Sequence, residues 1–194
     1  MRFSAGLVFM AAVAGAQSPG SQLVPGMELV YASDGEEIPA WTVESRRDTA
    51  VSGARCSIVA MRTSPTVATE HRFTCLSHDS LLVFDPASSN LRLLRPVGSS
   101  MKAEVRGRAT VAVYETAASH ADTISGVVVS VIPTVVTTRD TTGRVLRRLR
   151  ERFAVGLGTA IDGVFEVPDP QNAGGWRIER EFELVRIVRP RGGE

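Results

Sequence analysis

Cys56 and Cys75 are the two cysteines of a 194-residue chain. A thiol pair can form a bridge, cycle between redox states or help hold a metal. Redox pairs sit close together, as in Cys-x-x-Cys, and a zinc site needs further clustered Cys or His. Here the thiols are distant in sequence and His71, His78 and His120 are scattered. That favours a structural disulfide in an oxidising compartment. The spacing supports it. If Cys56 faces Cys75 across an antiparallel pair, Ile58 faces Phe73 and Ala60 faces His71 on the sulfur side. Ser57–Thr74, Val59–Arg72 and Met61–Glu70 then share the other side. The turn falls within Thr63-Ser64-Pro65-Thr66, where Pro fixes φ and Ser can hydrogen-bond locally. A hairpin of 55–63 with 68–76 is expected. Its bridge would contribute about 3 kcal/mol by restricting the unfolded chain.

Other chemistries find weaker footing. Neither Gly98-Ser99-Ser100-Met101 nor Ile124-Ser125-Gly126-Val127 forms a Gly-x-Ser-x-Gly nucleophile turn. His78 and Asp79 are adjacent, and strand neighbours point to opposite faces, so they make no ready dyad. Ser33-Asp34-Gly35-Glu36-Glu37 lacks the regular ligand spacing of a calcium loop and reads as a solvated turn. No Gly-rich phosphate loop opens a helix, and no carboxylate pair stands out for glycoside chemistry. No cofactor or metal is therefore expected, and the reading leans away from an enzyme. The remaining candidate binding residues are His71, Phe73 and Phe153, which fall on the apolar faces of predicted strands.

The N-terminus resembles an export signal. Met1-Arg2 is positive, Leu7 to Ala14 is apolar, and Ala14-Gly15-Ala16 fits a cleavage site before Gln17. The apolar run is shorter than the roughly 20 residues that cross a bilayer. The run Val127–Val136 is also short and contains Pro133, so it reads as a buried strand. The chain is expected to be exported to the periplasm or beyond, without a stable membrane span. Its formal net charge is +1, from 22 Lys and Arg against 21 Asp and Glu, and Arg2 would leave with the signal. This balance argues against a nucleic-acid partner. Lys102 is the only lysine, a bias that reads as genome composition.

Frequent Val and Thr, alternating patterns and short connections predict an all-β, mainly antiparallel domain. A signal peptide over 1–16, a linker over 17–26, a single β domain over 27–189 and a loose tail over 190–194 are expected. Met27–Ala32 and Trp41–Ser45 alternate as strands. Leu81–Phe84 and Leu91–Leu94 flank an Asp-Pro…Asn loop and read as a hairpin. Val105–Tyr114 and Ile124–Thr138 are long β-rich runs, the second ending in an Asp140-x-x-Gly143 turn. Val145–Phe153 fits either a helix or a strand. The preceding turn and the following Gly156 and Gly158 favour a strand, with Leu146 an exception to its alternation. Trp176–Val188 is similarly ambiguous. Pairing it directly with Val145–Phe153 would match Arg148 with Glu183, Arg150 with Glu181 and Arg152 with Glu179, on a solvated face. About eight to ten strands are expected in a curled sheet, half-barrel, barrel or sandwich.

The run Thr137-Thr138-Arg139-Asp140-Thr141-Thr142-Gly143-Arg144-Val145-Leu146-Arg147-Arg148 follows Gly126-Val127-Val128-Val129. It resembles uncharacterised exported bacterial β-proteins with the curled antiparallel sheet of periplasmic lipoprotein carriers. The likeness covers the C-terminal third and carries no catalytic residues across. No segment reads as the helices that such carriers lay over the open sheet. The expected role is a non-enzymatic exported β-protein that binds an apolar or lipid-like small molecule, or an envelope protein partner. The alternatives are an envelope hydrolase gathering His71 or His120 with a carboxylate and a Ser, or a structural module that pairs through an edge strand.

Overall fold

The structure is a computed structural model that describes residues 26–33, 42–51, 54–62, 70–76, 80–85 and 90–188. Every regular element among them is a β-strand. In the N-terminal half these are β1 (Glu28–Ser33), β2 (Thr42–Val51), β3 (Ala54–Arg62), β4 (Glu70–Leu76), β5 (Ser80–Asp85) and β6 (Asn90–Pro96). There follow β7 (Lys102–Arg106), β8 (Thr110–Thr116), β9 (His120–Ile124), β10 (Val127–Asp140), β11 (Val145–Ala154), β12 (Thr159–Pro168) and β13 (Trp176–Val188). The expected signal peptide and tail, and the linker except Gly26, lie outside the described residues.

The thirteen described strands form one antiparallel sheet, more than the eight to ten expected. Its order is β6-β5-β4-β3-β2-β1-β13-β12-β11-β10-β8-β7, with β9 also on β10. The sheet curls. Leu81 of β5 belongs to one apolar cluster with Ile132 of β10 and Phe153 of β11, strands far from it in sheet order. The end strands β6 and β7 share no ladder, so the barrel does not close by strand pairing. The segment between them helps to join the two ends. There Ser100 N donates to Ala117 O at 2.9 Å, and Thr116 Oγ1 donates to Gly98 O at 2.8 Å.

The cysteine hairpin has the predicted register. Cys56 faces Cys75, Ile58 faces Phe73 and Ala60 faces His71. A disulfide joins the two cysteines, and both are buried. The turn at Ser64-Pro65 lies outside the described residues. The ambiguous segments Val145–Phe153 and Trp176–Val188 both form strands, but they do not pair with each other. β12 lies between them. Arg150 faces Val164 and Glu181 also faces Val164, so the expected Arg150–Glu181 pairing is replaced. The physical reason is the tight Val155–Gly158 turn. Gly158 adopts φ 65° and donates its N–H to Val155 O at 3.1 Å, which returns the next segment directly alongside β11.

The arginine run is still a paired outer face. Arg148 and Arg150 meet Glu166 at 2.7 and 2.9 Å, while Arg152 meets Asp162 and, at 2.7 Å, Asp122. Leu146, the exception in the alternation, sits at a register shift between β10 and β11, where an extra residue opposes none and stays 40% exposed. Pro133 lies inside β10 without loss. Its carbonyl accepts from Ala117 N at 2.9 Å, on the side where β9 has ended and β8 begins. A strand residue's N–H and C=O point the same way, so the missing donor falls in that break.

Candidate functional site

Inward-facing residues are set by the register. Ala103, Tyr114, Val136, Leu149, Phe165 and Arg180 form one row across β7, β8, β10, β11, β12 and β13. Paired residues of an antiparallel ladder share a face. The next row carries Thr116, Thr134, Glu151, Gly163, Phe182 and Ser33. Gly163 makes room in this row. A Cβ there would lie 2.7 Å from Phe182 Cε1 and 3.1 Å from Arg150 O, so the Phe182 ring occupies the space a side chain would need. Phe182 also meets Tyr31 and Phe165, with ring centroids 6.2 and 5.8 Å apart.

The rows enclose an interior cavity of about 550 Å³. Its apolar wall includes Leu81, Leu94, Leu149, Phe153, Phe165 and Phe182. This size lies within the range of small-molecule sites. Burial grades along the strands. On β11, Phe153 and Glu151 are buried, Leu149 is half-buried and Arg147 is exposed. On β13, Leu184 is buried, Phe182 half-buried and Arg180 exposed. The cavity is therefore closed at the Phe153 and Leu184 end and open at the Arg147 and Arg180 end. An apolar cluster including Met27, Leu29, Val131, Leu157 and Leu184 fills the closed end. Full burial of one such side chain contributes about 1.5–3 kcal/mol.

One charge pair crosses the interior. Arg95 reaches the cavity because β6 carries an extra residue opposite β5. Leu81 faces Arg95 and Leu82 faces Leu93, which lets Leu94 and Arg95 both line the wall. Arg95 Nη1 lies 2.5 Å from Glu151 Oε1, and the two residues are only 9% and 7% exposed. The contact is an ion pair rather than an aligned hydrogen bond: neither Arg95 Nε nor Glu151 Oε1 has a hydrogen-bond partner. The guanidinium stacks 3.7 Å from the Phe153 ring centroid and 5.5 Å from that of Tyr114. Burial pushes the Glu151 carboxyl above its ordinary range, against the opposing pull of Arg95. Burial also raises Tyr31 and Tyr114. Tyr31 Oη donates to Ala160 O at 2.7 Å and Tyr114 Oη to Leu94 O at 3.4 Å.

At the open end Arg147 and Arg180 both lie over Phe165, their guanidinium carbons 5.9 and 4.9 Å from its centroid. A second, shallower groove of about 800 Å³ passes Val135, Arg152, Asp162 and Val164. The Arg152–Asp162 ion pair lies within this groove.

Of the expected binding residues, Phe153 is placed in the cavity wall, 2% exposed. His71 and Phe73 belong to β4, opposite Ala60 and Ile58, and their side chains lie outside the described residues. So do His78 and the acidic loop after Ser33. His120 is exposed at the start of β9, and no His lines the cavity among the described residues. Among the described residues no group of His, Cys, Asp or Glu is arranged for a metal, and no helix is long and apolar enough to cross a membrane. Sequence reasoning missed Arg95, Glu151, Arg147 and Arg180. Arg147 and Glu151 carried a usable signal, since both take odd positions on the apolar side of β11. Comparison with protein-family models, curated proteins and solved structures finds no match to this chain.

Proposed function

We propose that this is an exported, non-enzymatic binding protein whose curled sheet holds an apolar or lipid-like small molecule. The observation that carries the reading is the 550 Å³ interior cavity, walled by aliphatic and aromatic side chains and open at one end. Apolar walls with a few convergent polar groups are the usual make-up of small-molecule sites. Export is supported by the N-terminal pattern of charge, apolar run and small residues, and by the Cys56–Cys75 disulfide.

Native mass spectrometry of protein purified from producing cells tests the proposal, before and after organic extraction. The expected result is a bound species that extraction removes and that an apolar ligand replaces at one per chain. Protein that is empty as isolated, and that takes up no apolar ligand, would overturn it.

A further inference from the structure

Among the described residues, the charged groups on the cavity wall are three arginines and one glutamate: Arg95, Arg147, Arg180 and Glu151. The chain as a whole carries only +1. The described part of this wall therefore carries a net positive charge. It is also unevenly used. Arg95 is neutralised by Glu151 deep inside, and the outer-face arginines 148, 150 and 152 each meet a carboxylate. Arg147 and Arg180 form no ion pair among the described residues and stand together over one aromatic ring at the mouth.

We infer that the ligand is an anionic amphiphile, with its hydrocarbon inside the cavity and its acidic head at Arg147 and Arg180. This rests on the reading of the cavity as a ligand site. Guanidinium groups match carboxylate and phosphate oxygens with paired N–H donors, and stacking on Phe165 limits the freedom each arginine would lose. The deeper Arg95–Glu151 pair is already balanced and offers no net charge to an anion. A neutral chain would gain the apolar wall but leave the two mouth cations unused. A cationic head would meet like charge.

The test is calorimetric titration of the full chain with dodecanoate, dodecyl phosphate and dodecanol, below their aggregation limits. Both acids are expected to bind at least tenfold more tightly than the alcohol, and added salt should weaken the acids only. The phosphate and carboxylate arms show which head is preferred. In R147Q/R180Q, with folding checked by circular dichroism, the acids should lose their tenfold advantage over dodecanol measured on the same variant. R147K/R180K should retain part of the preference. Equal, salt-independent binding of acid and alcohol would overturn the anionic head and leave the apolar cavity standing. Failure of all three probes to bind would overturn the cavity reading itself.

Discussion

Arg95 of β6 and Glu151 of β11 meet at 2.5 Å across the interior of the curled sheet, although their strands belong to opposite halves of its order. The pair ties the two halves together at the level of the ligand cavity. Breaking it from one side strands a buried charge. Glu151→Leu is expected to cost about 3–5 kcal/mol, because Arg95 then lies buried without its partner. Arg95→Met with Glu151→Leu should return close to the parent stability, since apolar groups of similar size escape the desolvation cost. Urea unfolding of the single and double variants reads both. A double variant no more stable than the single would contradict this.

Glu166 governs part of the acid response. Hydrogen bonds from Arg148 and Arg150 hold its carboxyl below the ordinary range. Its contribution is complete above that range and is lost as pH falls through the lowered value. Glu151 has the opposite sign. Its raised carboxyl contributes stability below the ordinary range, lost as pH rises through the raised value. Glu166→Gln should therefore cost about 1–2 kcal/mol near neutral pH, with the gap closing in strong acid. Urea midpoints across pH would show it, and a gap that persists in acid would refute it.

Reduction of Cys56–Cys75 should lower stability by about 3 kcal/mol, as expected for the loop it closes. The check is unfolding with and without reductant, beside mass-spectrometric thiol counting. Free thiols in exported protein would remove the basis for the prediction.

Gly163→Ala is expected to destabilise by about 1–3 kcal/mol and to weaken ligand binding. The new methyl would displace Phe182 from its place over position 163, and Phe182 is part of the cavity wall. Thermal unfolding and ligand titration of the variant test the two effects. Unchanged affinity would show that Phe182 does not shape the bound state.

The parts legible in the sequence share a local signal. Cys56 and Cys75 pinned one hairpin because a covalent requirement left a single register. The Asp140 turn was readable because its carboxylate caps Thr142 N and Arg144 N, at 2.9 and 3.0 Å. β12 was missed because its alternation is broken. Ala160 and Ile161 are both buried at a register shift, and Gly163 offers no side chain to the pattern. That omission led to the direct matching of Arg150 with Glu181. The cavity was hidden for another reason. Arg95 and Glu151 become neighbours only when the sheet curls, and no spacing rule links positions that meet across an interior. Glu151 and Arg147 could have been flagged as charges on an apolar strand face, a pattern that costs free energy unless it is paired or functional.

The decisive measurement is a two-dimensional amide NMR titration of the protein with dodecanol, a neutral apolar probe. Saturable shifts are predicted to centre on the inward rows at Leu149, Glu151, Phe165 and Phe182, and to spare the exposed start of β9 at His120–Ala121. Shifts confined to the outer face, or none at the inward rows up to the probe's solubility, would contradict a ligand cavity inside the curled sheet.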